Sequence, residues 1–232
     1  MQLTVRDAAQ LLDVSEKTLY RWIDEKGIPV YKVNDQLRIS KAELLEWATA
    51  HKIRVSADMF QEPDSAGRPL PPLSQALEAG GAYYKIPGVD KGAVLKSMVE
   101  RLRLPPEIDR EFLLSVLMAR ESLGSTGIGD GIAIPHVRNP VVLHVAEPAV
   151  SVCFLETPID FQAVDGKPVH TLFSLISPTP RVHLHLLSRL SAGLYDAGFR
   201  AAVLRRAPYD ELLAEIRRIE VAGTRPRIPQ TP

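Results

Sequence analysis

The sequence predicts an α/β chain built in two parts, and three features predict it. Residues 54–72, RVSADMFQEPDSAGRPLPP, hold four prolines, one glycine and no apolar period, so they read as a linker partly stiffened by proline. Before it, residues 1–53 form a compact unit of short helical patterns around one hairpin pattern. After it, residues 73–221 alternate helical and strand-like stretches, the signature of an α/β layer. Residues 222–232, AGTRPRIPQTP, read as a disordered tail. No internal repeat is present.

Composition narrows the class. The chain has 45% apolar and 24% charged residues, with 28 Lys plus Arg balancing 28 Asp plus Glu. No whole-chain field draws it to nucleic acid or an acidic membrane, so an anion site must be local. Cys153, the one cysteine, lies in the strand-like run SVCFLE and is expected to be a core thiol. No basic-then-apolar leader opens the chain, and no apolar run approaches the ~20 residues of a membrane span. A cytoplasmic location is the expectation, with no membrane association, cofactor or metal.

In the first unit, Thr4 is an N-cap, and Val5, Ala8, Ala9, Leu11 and Leu12 give a short helix its apolar face. Asp13-Val14 breaks the chain, and Ser15 caps a second helix reaching Gly27. Leu19, Trp22 and Ile23 form that helix's inward stripe, with Lys17, Thr18 and Arg21 opposite. Two short strands follow around Asn34-Asp35, residues that tolerate a hairpin turn. Ser40 to Glu43 matches a capping box, and Leu44, Leu45, Trp47 and Ala48 give a third helix its buried face.

A helix, a short break and a second helix with polar residues near its start is the helix-turn-helix layout. The stretch LTVRDAAQLLDVSEKTLYRWIDEKGIPVYKVNDQLRISKAELLEWA resembles the winged helix-turn-helix family of the MerR and excisionase type. The resemblance implies a recognition helix from Ser15 to Lys26 in the major groove, with the wing at Lys32 and Arg38 on the DNA backbone. Ser15, Lys17, Thr18 and Arg21 are the expected contacts on the helix, since their donors suit base edges and phosphates. Residues 1–54 carry nine Lys/Arg against eight Asp/Glu, meagre for a module that neutralises phosphates. A homodimer reading two half-sites is therefore expected.

Three segments matter in the second unit: a helix over residues 106–121, the loop GSTGIGDGIAIPH at 124–136, and a helix over 181–194 starting RVHLHLL. The first helix turns Ile108, Phe112, Leu113, Val116 and Leu117 inward. In the loop, Gly124, Gly127, Gly129 and Gly131 permit close backbone approach, and turned amides there could form an anion nest. The loop ends IAIPH, an apolar strand, a rigid proline and an imidazole. A neutral imidazole attacks through one nitrogen while the other is held by a hydrogen bond.

Residues 73–221 resemble the fructose/mannitol-type enzyme IIA domains of the bacterial phosphotransferase system, nearest the nitrogen-regulatory branch. The likeness rests on DREFLLSVLMARESLGSTGIGDGIAIPH, FQAVDGKPVHTLFSLISP and HLHLLSRL. It implies a mixed-sheet α/β sandwich preceded by the small winged helix-turn-helix domain. It also implies a phosphohistidine at His136, received from a histidine phosphocarrier protein. Arg120, sixteen residues before His136, matches the family's active-site arginine, and its planar fork suits phosphoryl oxygens. His183 matches the family's second histidine. Ser125, Thr126, Gly127, Gly129 and Gly131 would position the phosphoryl group through loop amides. His185 is expected to be structural, and His144 and His170 have no matching role. Where His170 stands, the family often has a carboxylate.

These expectations combine into a phosphohistidine carrier, a transferase component whose phosphorylation state governs DNA binding and transcription. Two alternatives stand beside it: a regulator of protein partners using the first unit as a docking module, and a sugar-transport component passing phosphoryl to an enzyme IIB. For coupling, a phosphoryl group adds about −1.5 to −2 charges. A linker of roughly 20 residues spans about 25 Å, beyond the screening length of ~8–10 Å. Coupling therefore requires a contact that differs between the two forms. The weakly charged reader makes subunit against subunit the expected contact.

Overall fold

A computed structural model of the chain describes residues 2–33, 36–51, 53, 55–56, 69–106, 108–137, 140–143 and 145–223. The Asn34-Asp35 turn, most of the linker, His144 and residues 224–232 of the tail lie outside them. No helix among the described residues is long and apolar enough to cross a membrane.

The first unit begins with β1 (Gln2–Leu3) and α1 (Val5–Leu11). The Thr4 hydroxyl accepts from the Asp7 N–H at 3.1 Å, and the Asp7 carboxylate accepts from the Thr4 N–H at 3.0 Å. That capping box closes on an aspartate one carbon shorter than the usual glutamate. Asp13, at φ 53°, makes the break, and α2 (Glu16–Lys26) ends at Gly27 in the left-handed region. Strands β2 (Tyr31–Val33) and β3 (Gln36–Ser40) pair antiparallel, and β1 joins β3 to give the order β1-β3-β2. The chain passes directly from β3 into α3 (Lys41–Ala50). Contrary to the capping-box pattern, Ser40 makes no side-chain cap bond; it is the last residue of β3, paired with Gln2.

The second unit is a five-stranded mixed sheet between two helical layers. Its elements are α4 (Leu73–Gly80), β4 (Ala82–Ile86), α5 (Lys91–Arg101), α6 (Arg110–Ser122), β5 (Gly127–Gly129) and β6 (Ile132–Ala133). A 3₁₀ turn (Pro140–Leu143), β7 (Ala149–Ile159), β8 (Val169–Ile176), α7 (Pro180–Tyr195), α8 (Ala197–Leu204) and α9 (Tyr209–Gly223) complete it. The strand order is β4-β7-β8-β6-β5. β4 pairs parallel with β7, β7 antiparallel with β8, β8 parallel with β6, and β6 antiparallel with β5. Alternation along β7 divides the core: Val150, Val152 and Phe154 join the α4, α7 and α8 side, while Cys153 and Leu155 join the α5 and α6 side. Burial pushes the Cys153 thiol far up, as a core position demands.

Two expectations about elements change. Helix α6 begins at Arg110, because Asp109 accepts from the N–H groups of Glu111 and Phe112 and caps it there. Phe112 is then 44% exposed, while Leu113 and Leu117 are buried.

The larger change concerns how the units meet. On α3, Leu44, Leu45, Trp47, Ala48 and Thr49 are all buried, which a helix achieves only when covered on more than one side. One cover is its own unit: Trp47 Nε1 donates to the Lys26 carbonyl at 2.9 Å and its ring stands 5.6 Å from that of Trp22. The other is the second unit, where α3 lies against α7 and β5. Leu45 and Thr49 share a cavity of about 560 Å³ with Ser188, Ser191, Ala192 and Tyr195 of α7. One apolar cluster runs from Leu3 through Leu44 and Leu45 to Ile216. The units are packed together as well as tethered.

Candidate functional site

The loop that carries His136 is a β-hairpin anchored at both ends. At its start the Glu121 carboxylate, buried at the end of α6, accepts from the Thr126 N–H at 2.7 Å and from the Thr126 hydroxyl at 3.1 Å. Lys91 Nζ lies 3.9 Å from the same carboxylate. The Ser125 hydroxyl donates to the Phe161 carbonyl at 2.5 Å. At its end the Ile134 N–H donates to the Thr126 carbonyl at 3.0 Å, and His136 forms a bridge with Leu175 of β8.

Two glycines of the hairpin answer to packing. A Cβ at Gly127 would meet Ala163 at 2.7 Å. Gly131, at φ 75°, would drive a Cβ to 2.3 Å from His170 Nε2. The amides of Thr126, Gly127 and Asp130 are already occupied by Glu121, Ser125 and Asp165. These three amides are therefore turned to the protein and take no part in the anticipated anion nest. Ser125 and Thr126 line the cleft beside His136; Gly127, Gly129 and Gly131 do not.

His136 is 2% exposed. Its Nδ1–H donates to the Ile134 carbonyl at 2.6 Å, which fixes the ring and directs Nε2 to the cleft. The His183 ring, in the first turn of α7, lies 5.1 Å away between centroids. Pro180 at the helix start and Thr179, whose hydroxyl accepts from the Val182 N–H at 3.2 Å, place His183 there. His183 is 3% exposed and its Nδ1 has no hydrogen-bond partner among the described residues. Burial, then the neighbouring His136 and Arg120, bring its pKa down to about 3, so it is a neutral ring.

Arg120 reaches the site from α6. Its Nη1 donates to the Gly124 carbonyl at 2.9 Å, tying the helix end to the loop. Its Nη2 donates to Glu46, a residue of α3 in the other unit. The second Glu46 oxygen lies 2.7 Å from His136 Nε2. Burial alone would raise the Glu46 carboxyl, but His136 and Arg120 overcome it and hold the pKa at about 2. A carboxylate thus sits where a histidine and an arginine converge, the position an oxyanion would take. Beside it lies a cleft of about 270 Å³ lined by residues of both units, among them Trp47, His51, Arg120 and His136.

His170 and His185 stand apart. His185 Nε2 donates to the Pro71 carbonyl at 3.1 Å, and His170 bonds Thr171 and packs on Gly131. On α2, Lys17 and Arg21 are exposed, with Arg21 3.9 Å from Glu25. Ser15 and Thr18 are engaged in the helix cap, at 3.1 Å from the Thr18 N–H to Ser15 Oγ. Arg38 is half-buried in β3, and Lys32 lies in β2 with its side chain outside the described parts.

Sequence reasoning missed Glu46 and Glu121. Glu121 had a local signal, a carboxylate closing the helix that feeds a glycine-rich loop. Glu46 had only its place in the apolar run LLEWA, since its partners lie 74 and 90 residues away.

Residues 84–219 match the family described as phosphoenolpyruvate-dependent sugar phosphotransferase system, EIIA 2, and residues 3–52 match a helix-turn-helix domain. A nitrogen regulatory protein of Pseudomonas aeruginosa is 41% identical over 147 residues, 62% of this chain and 93% of that protein. The fructose-specific EIIABC component of a Bacillus subtilis phosphotransferase system is 32% identical over 144 residues, 61% of this chain and 22% of that protein. The crystal structure of nitrogen regulatory protein IIA-Ntr from Neisseria meningitidis aligns with a TM-score of 0.51 at 27% identity, covering 62% of this chain and 94% of that one. Phosphotransferase-system EIIA domains are phosphoryl-transfer components, a transferase-type role. The chain belongs to the type 2 EIIA family of the phosphoenolpyruvate-dependent sugar phosphotransferase system, with a helix-turn-helix domain at its N-terminal end.

Proposed function

We propose that the chain carries a phosphoryl group on His136 and that its helix-turn-helix unit binds DNA, making it a phosphorylation-responsive regulator of transcription. The observation that supports the carrier role best is the pinned Nδ1–H of His136, which leaves Nε2 as the nitrogen facing Arg120 and the cleft. In the transfer step the Nε2 lone pair attacks the phosphorus of a phosphohistidine on a histidine phosphocarrier protein. The donor's P–N bond breaks, its electron pair returns to the donor ring, and a new P–N bond forms on His136. Such transfer needs placement and charge stabilisation above all. Arg120 supplies the charge, and the buried Nδ1 of His183, without a partner among the described residues, supplies a neutral polar group beside the site.

His136→Ala should abolish acid-labile phosphate incorporation. His183→Ala should slow transfer by ~10²–10³, the usual effect of losing one stabilising donor. Full labelling of the His136 variant would remove the assignment.

For DNA, the exposed Lys17 and Arg21 on α2 support the reading. Arg21→Ala should weaken a specific site by about 1–3 kcal/mol, measured on fragments selected from genomic DNA. Lys32→Ala or Arg38→Ala should weaken all sequences alike and flatten the salt dependence.

The alternative of a module that docks other proteins is not favoured by α3, which is buried against α7 of the same chain.

A further inference from the structure

We infer that Glu46 is a built-in occupant of the phosphoryl position, so that docking of α3 on the second unit and phosphorylation of His136 exclude each other. The inference rests on His136 being the phosphoryl acceptor.

Space gives the first reason. A phosphorus bonded to Nε2 must lie within the 2.7 Å that now separates Nε2 from the Glu46 carboxylate. Both cannot fit along that line.

Protonation gives the second. The Ile134 carbonyl requires a proton on Nδ1, and the ionised Glu46 carboxylate requires one on Nε2. A ring that donates from both nitrogens has no lone pair for attack. The docked state is therefore chemically closed as well as sterically closed, and transfer awaits departure of α3.

Charge gives the third. The phosphoryl group adds about −1.5 to −2 charges where a carboxylate already sits 13% exposed, and like charges in a buried site repel. Arg120, now bonded to Glu46, would turn to the phosphoryl oxygens. The same donors hold either anion, so the carboxylate stabilises the empty site and the phosphoryl group displaces it.

The consequence reaches the DNA-binding unit through α3 itself. Trp47, one residue beyond Glu46, is bonded to the Lys26 carbonyl at the end of α2. Whatever dislodges α3 moves the recognition helix with it. This places the coupling contact between domains of one chain, where the sequence had pointed to a contact between subunits.

The test uses the full chain, with phosphoramidate as the phosphoryl source. In a two-state site, reactivity is reduced by the fraction of molecules that are open. Glu46→Gln, which keeps size and removes charge, should incorporate acid-labile phosphate at His136 roughly 5- to 150-fold faster than the parent chain. Independently of any variant, phosphorylating the parent chain should accelerate amide hydrogen exchange across residues 41–50 and leave β7 and β8 protected. Equal labelling rates would overturn the inference, as would unchanged exchange in α3 after phosphorylation. Absence of label at His136 in both proteins would overturn it differently, by removing the carrier role beneath it.

Discussion

His136, Glu46 and His183 form a row of side chains whose behaviour depends on where protons reside. The unfolded chain protonates residue 183 near 6.5, whereas the folded chain holds it neutral down to about 3. Between those values the unfolded state binds the extra proton, so stability must fall as pH drops through the window, by up to about 1.4 kcal/mol per pH unit. His170 and His185 are pushed the same way, first by burial, but both are half-open to solvent. Glu46 acts later: its folded pKa of about 2 lies below the ordinary 4.5, so its contribution is present above 4.5 and is lost as pH falls toward 2. Urea midpoints measured from neutral pH downward should show a slope beginning near 6.5, and His183→Gln should flatten its upper part. An unchanged slope in that variant would mean the ring is protonated in the folded protein. His183 and Arg120 were singled out in the sequence because their segments resemble those of the enzyme IIA family. Glu46 was not, because an acid on a helix carries no mark of what lies opposite it.

At the scale of elements, the β5–β6 hairpin shows how a glycine-rich segment serves geometry. Gly131 sits at positive φ with His170 pressed against it, so Gly131→Ala combines backbone strain with a side-chain clash. Its cost should exceed the ~1 kcal/mol of a Gly/Ala change at a compatible site. A Gly131→Ala/His170→Ala pair should recover the clash while leaving the strain, a non-additivity that denaturant unfolding resolves. Purely additive costs would show that His170 moves aside freely. Glu121→Ala should cost about 1–3 kcal/mol, because it strands a buried Thr126 amide and hydroxyl. In the first unit the three helices and the hairpin were readable from periodicity and caps: Thr4, Ser15 and Asp13 mark α1 and α2 where the chain turns. The start of α6 was misread, since Pro105 and Pro106 look like a helix opening while Asp109 performs the capping. The glycines suggested an anion nest because spacing alone does not show that Glu121, Ser125 and Asp165 have taken the amides.

For the whole molecule, the two units were separable in sequence because residues 54–72 lose all apolar period, yet that same reading hid their packing. The extra buried position of α3, Thr49, has no reason in its own unit's pattern until α7 is beside it. A shared apolar cluster implies shared cooperativity, so the unphosphorylated chain should unfold in one calorimetric transition. Phosphorylation, or Glu46→Gln, should split it into two as the units part. The same linkage constrains DNA binding. If phosphorylation shifts DNA affinity by some factor, DNA must shift the phosphorylation equilibrium by that factor, because both act on one docking equilibrium. Glu46 is the residue through which the anion on His136 meets that equilibrium. In Glu46→Gln the docked state is already depopulated, so phosphorylated and unphosphorylated forms should bind one DNA fragment alike at one salt concentration. In the parent chain the two forms should differ by about 1–3 kcal/mol. Direct repulsion is not the source: once α3 has left, the linker spans about 25 Å, and exposed charges beyond ~8–10 Å are screened. A difference of equal size in the parent chain and in Glu46→Gln would therefore show that the phosphoryl group reaches the DNA-binding unit by a route that does not pass through α3.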